Sequence, residues 1–262
     1  MLFSKHPRTL YGNAPVHEVI CQLRFPTILS INNTEPADFQ EAIRDDYPEY
    51  TLRRDVPPPK VTGAPGHFSL ENPPTVVNYQ FASCDGVWRV NLTGNFISLS
   101  CTRYPGWEEF AARLDKPLAA FIRLYKPAYF QRVGLRYINF ISRNRLSLEG
   151  IPFSQLIAPC YLGPLMEEDV AESTTTRCSV DAEMAIRGGC RVKLHAGPGL
   201  VKQQGKEDKE VKFIFDQDLY MPGQLPVNLS AGALQTLHSQ ADAIFRAAVT
   251  HVLHDAMEPE YR

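Results

Sequence analysis

Stretch after stretch of this chain places an apolar side chain at every second position, and that period of two is what most limits its fold. Val19, Cys21, Leu23 and Phe25 alternate with Glu18, Gln22 and Arg24, up to a stop at Pro26. Val77, Tyr79 and Phe81, then Trp88, Val90 and Leu92, then Ile97, Leu99 and Cys101 follow the same rule. Asp85-Gly86 and Gly94-Asn95 separate them, so they read as a three-strand antiparallel meander. Such strands keep one apolar face, which must be buried against another layer.

Between the first strand and the meander, Thr34-Glu35-Pro36 opens a short helix to about Arg44, with Thr34 as its expected cap. Pro57-Pro58-Pro59, Pro65-Gly66 and Pro73-Pro74 predict that residues 56–74 form a long loop without regular structure. After Pro105 the period lengthens to that of a helix. Trp107, Phe110, Leu114, Leu118, Phe121 and Tyr125 make one stripe, Glu108 and Glu109 suit the helix dipole, and Pro117 predicts a kink.

The same order then returns. Arg132 to Ile141 is a strand, Pro152 to Ala158 a weak helix, and Cys178–Ile186, Cys190–Ala196 and Val211–Phe215 a second meander. Gly188-Gly189 and a polar tip, Gln203 to Asp208, join its strands. One long helix is expected from about Ala231 to Met257, capped by Ser230. The fold class that follows is α+β: duplicated β-α-β-β-β-α halves, with antiparallel sheets each covered by a long helix. We expect one domain of two pseudo-repeats, about 14–126 and 127–258.

Apolar residues make up 44% of the 262 and charged residues 21%, enough for a real core. A formal charge of −2 gives no global attraction to nucleic acid or anionic membrane. No apolar stretch approaches membrane-spanning length, and the first residues lack the apolar core of a secretory signal. Six scattered cysteines without a Cys-x-x-Cys pair read as reduced thiols, so a cytoplasmic protein is expected.

The strings Ala14-Pro15-Val16-His17-Glu18-Val19 and Gln22-Leu23-Arg24-Phe25-Pro26, then Trp107-Glu108-Glu109-Phe110 and Gly134-Leu135-Arg136-Tyr137-Ile138-Asn139, carry a resemblance. Over nearly its whole length the chain resembles a sporadically distributed bacterial family of similar size. The resemblance implies a bacterial or phage-related origin and the patchy distribution common in mobile and defence loci. It implies no activity, and it brings no catalytic residues.

The candidate binding residues are Arg24, Arg132, Arg136 and Asn139. The three arginines lie on the face opposite the apolar one, where a guanidinium fork suits phosphate or carboxylate; the alternative is pairing with a carboxylate on a solvated face. Asn139 interrupts the apolar parity and faces inward or marks a bulge. Asp181, Glu183 and Lys193 loosely resemble a metal-dependent nuclease set, against ordinary charge matching of Asp181 and Glu183 with Arg191, Lys193 and His195. His238, Asp242, His251, His254 and Asp255 read as a solvated helix face in preference to a zinc site. No nucleophile elbow, phosphate loop, catalytic set or cofactor site is recognisable. The residues favour a non-enzymatic binding protein with a protein partner. The alternative is a nucleic-acid or nucleotide binder using the arginines, and the remaining reading is a metal-dependent hydrolase.

Overall fold

The computed structural model describes residues 1–56, 60–64, 67–71, 75–203 and 206–260. In chain order its elements are β1 (Leu10–Tyr11), β2 (Val16–Arg24), α1 (Leu29–Asn33), α2 (Ala37–Ile43), β3 (Glu49–Asp55), β4 (Lys60–Ala64), β5 (His67–Glu71), β6 (Val76–Ala82), β7 (Trp88–Leu92) and β8 (Phe96–Cys101). There follow α3 (Trp107–Tyr125), β9 (Phe130–Ile141), α4 (Phe153–Leu156), β10 (Val180–Ala185), β11 (Arg191–Gln203), β12 (Lys206–Leu225), α5 (Ser230–Ala248), α6 (His251–Ala256) and β13 (Pro259–Glu260). The protein is mixed α and β, and its strands pair largely antiparallel.

The chain divides into two compact units. Unit A holds Cys21–Arg132 and Gln224–Val227; unit B holds Met1–Ile20, Val133–Gly223 and Asn228–Arg262. The first twenty residues thus belong with the later part of the chain.

In unit A the strands lie in the order β2, β8, β7, β6, β3. The alternating residues do what their period demands: Cys21, Leu23, Phe25, Phe81, Val90, Leu92, Leu99 and Cys101 are buried. α3 supplies Phe110, Leu114 and Phe121 to the same core and runs on through Pro117. The Phe121 ring lies 4.6 Å from that of Phe25. The Tyr47 hydroxyl donates to the carbonyl of Arg113 across 3.0 Å.

In unit B the order is β10, β11, β12, β9, β2. Val133, Leu135, Tyr137, Val192, Leu194, Ala196, Phe213, Phe215 and Leu219 are buried, as are Leu234, Leu237, Ala241, Ile244 and Phe245 of α5. Phe215 meets Tyr161 edge-on at 5.2 Å and Phe245 at 5.9 Å. β1 and β13 close a small ribbon of their own.

Several local expectations are corrected. Residues 60–64 and 67–71, expected to be irregular, form the hairpin β4–β5, in register from Lys60↔Glu71 to Ala64↔His67. Neither strand contains a proline, so neither loses a ladder donor. The proline runs of that stretch, and residues 204–205 of the expected polar tip, lie outside the described residues. Thr34 does not cap α2, which starts at Ala37 without a side-chain cap; its hydroxyl donates to the carbonyl of Ser30 instead. Ser230 is the first residue of α5, not its cap.

The expected long C-terminal helix is two helices. At the break Val249 bridges Ile157, and the Thr250 N–H donates to the Leu156 carbonyl. Pairing with the 155–158 segment interrupts the helix at Val249 and Thr250 and gains it an anchorage. Thr250 then caps α6, accepting from the Leu253 N–H, while its hydroxyl donates to the Gln155 carbonyl at 2.7 Å. Thr250→Val should therefore lower stability by about 1–2 kcal/mol in urea unfolding; an unchanged midpoint would show that the break is held without it.

All six cysteines are free thiols. No helix among the described residues is long and apolar enough to cross a membrane.

Candidate functional site

The solvent face of unit B opposite α5 carries the densest chemistry. Because β10 pairs with β11, and residues 191–200 of β11 pair with β12, in unbroken register, their outward residues form rows. One row reads Asp181, His195, Asp216; the next reads Glu183, Lys193, Asp218. Arg136 of β9 joins the first row through Asp216, with Nε to Oδ1 at 2.8 Å and Nη2 to Oδ2 at 2.5 Å. These residues line a shallow, open concavity of about 490 Å³.

Hydrogen bonds set the electrostatics of this face. His195 Nδ1 lies 2.7 Å from Asp181 Oδ1, and the Ser179 hydroxyl donates to Asp181 Oδ2 at 3.0 Å. Both bonds favour the carboxylate and hold Asp181 below its ordinary range. The Tyr220 hydroxyl donates to Glu183 Oε1, and with Lys193 Nζ 3.6 Å away it lowers Glu183 as well. The bond to Asp216 raises Arg136, which stays a cation. Four carboxylates thus face Arg136, Lys193 and His195, a formal charge of −2 with a neutral imidazole.

This geometry does not assemble a nucleophile. Ser179 is bonded to the carboxylate, not to the imidazole that would have to take its proton. Among the described residues no group of three His, Cys, Asp or Glu side chains is placed to hold a metal ion. A second cleft of unit B, about 450 Å³, contains Arg143, Phe153 and Glu172. Of its two cations, Arg143 and Arg177, the first is already engaged: Arg143 stacks 4.0 Å over Phe153 and donates to Glu172 Oε2 at 2.9 Å.

The residues singled out from the sequence divide between the two units. Arg24 and Arg132 lie in unit A, Arg136 and Asn139 in unit B. Arg24 is exposed and its Nε donates to Gln22 Oε1. Arg132 is half-buried. Arg136 takes the carboxylate-paired alternative, with Asp216 as partner. Asn139 faces inward: it is 2% exposed and its Nδ2 donates to the Phe215 carbonyl, tying β9 to β12 inside the core.

The solvated helix face is also corrected for two histidines. His238 and His254 are both 5% exposed, and their Nδ1 atoms meet the hydroxyls of Tyr137 and Tyr11 at 2.8 and 2.9 Å. Asp216 and Asp218 were missed, because β12 runs ten residues past Phe215. The alternation Phe213, Phe215, Leu219 was the available signal, interrupted by the buried Gln217.

No family model matches the chain, and no curated protein matches it.

Proposed function

We propose that the chain is a non-enzymatic binding protein whose charged unit B face receives a basic segment of a protein partner. The carrying observation is the excess of carboxylate: Asp181, Glu183, Asp216 and Asp218 surround Arg136 and Lys193 on an open surface. A shallow face suits a macromolecule better than an enclosed small ligand. Complementary charge steers such an encounter and fixes its register. The nucleic-acid alternative needs phosphate to reach Arg136 past Asp216, and the local charge opposes it. Free thiols support a cytoplasmic site of action.

We further read the scaffold as a duplication. Each first strand, β2 or β9, lies beside the last strand of the meander that follows it, in the orders β2-β8-β7-β6 and β9-β12-β11-β10. A helix with a buried stripe, α3 or α5, follows each meander.

Fluorescence anisotropy with a labelled ten-lysine peptide and a labelled DNA duplex, at low and moderate salt, tests the binding reading. The peptide should bind in a salt-sensitive manner, and Glu183→Gln with Asp218→Asn should weaken it about tenfold. DNA binding that Arg136→Ala removes would establish the alternative, and binding of neither probe would end both.

A further inference from the structure

β3 ends the strand order of unit A. β6 pairs with one side of it, and no strand among the described residues pairs with the other. Its register with β6 runs without a bulge from Glu49↔Ala82 to Asp55↔Val76, and it contains no proline. Glu49 to Arg54 are all exposed, Tyr50 and Leu52 among them at 38% and 40%. A regular strand edge with apolar side chains in water invites another strand unless charge, proline or a bulge forbids it.

We infer that β3 pairs antiparallel with β3 of a second copy of this chain, about a two-fold axis at Thr51. A two-fold perpendicular to the sheet keeps every side chain on its own face, so one residue must meet its own copy. The sequence decides which. An axis at Leu52 sets Glu49 against Asp55, and an axis at Arg53 sets Arg53 against itself; like charges opposite one another destabilise a pair. An axis at Thr51 sets Glu49 against Arg53 twice, Tyr50 against Leu52 twice, and Thr51 against Thr51. Opposite charges, an aromatic on an aliphatic, and two threonines are the favourable cross-strand pairs.

Arg53 can swing toward the copy out of a solvent-exposed ion pair. Its side chain is 58% exposed and stands 3.6 Å from Asp55, whose other oxygen already accepts from Asn78 Nδ2. The terminal strand of unit B offers no such match. On β10 the axes that overlap most of the strand, at Ala182 and Glu183, both set acid on acid. Charge therefore guards one edge and makes the other self-complementary.

Sedimentation of the full chain over a concentration series tests this. Wild type should dimerise. Arg53→Glu and Glu49→Arg should each weaken dimerisation about tenfold or more, and the two together should restore it. A chain still monomeric at about 100 µM overturns the inference. So do a dimer indifferent to either single exchange and a folded double variant that stays monomeric. Should a charge variant fail to fold, Thr51→Cys gives an independent reading, because the two copies of residue 51 face each other with Cβ atoms about 4.5–5.5 Å apart. Oxidation should then yield a covalent dimer beyond the wild-type background, and its absence overturns the pairing.

Discussion

Phe215→Ala should cost the chain about 3–5 kcal/mol in urea unfolding, the scale for deleting a fully buried aromatic ring from a close-packed core. Phe215 has no exposure, and its ring is held edge-on by Tyr161 and Phe245 from two different parts of unit B. Its carbonyl also accepts the Asn139 amide, so a shift of β12 would disturb a buried hydrogen bond as well as leave a cavity. Leu200→Ala, at a side chain 58% exposed, is the control and should stay within about 0.5 kcal/mol. A loss below about 1 kcal/mol at Phe215 would mean that the core closes over the gap.

Asp242→Asn should stabilise the protein at pH 7.5 and leave it little changed at pH 4. Burial on α5 pushes the Asp242 carboxyl up to about 6, against the pull of Arg8 and Arg246. In the unfolded chain the same group titrates near 3.9. Between those values the folded state keeps a proton that the unfolded state has released, so stability falls as pH rises through the window. Above it the cost amounts to about 2–3 kcal/mol, which asparagine does not incur. His254 works in the opposite sense. Burial lowers it, so the unfolded chain takes up the proton first and stability is lost as pH falls below about 6.5. Because both proteins retain His254, the difference between wild type and variant isolates Asp242. Equal gains at the two pH values would show that the carboxyl is not raised.

The strands that bury one face could be read directly, since Trp88, Val90 and Leu92 or Val192, Leu194 and Ala196 have no other reason to alternate. β3 was invisible for the converse reason: exposed on both faces, it has no alternation to show. The end of β12 was lost at Gln217, a polar residue that faces inward and donates to the Ala241 carbonyl. The break between α5 and α6 leaves no mark on the apolar stripe, because a distant segment imposes it through Val249 and Ile157. The candidate site was legible to the same degree. The guanidinium of Arg136 was recognisable as a fork, but its carboxylate stands eighty residues along the chain. His238 and His254 misled because a polar side chain on a helix passes for a wet one until its tyrosine partner is known.

Unit A comes almost wholly from one run, Cys21–Arg132, whereas unit B is gathered from both ends, with Leu10 pairing Glu260. A nascent chain leaving the ribosome at about 5–20 residues per second has nearly all of unit A in hand on the order of ten seconds before residue 260 is made. Throughout that interval the N-terminal strand segment has no completed partner. Translation order thus delivers the main segment of unit A well before the closing ribbon of unit B can pair.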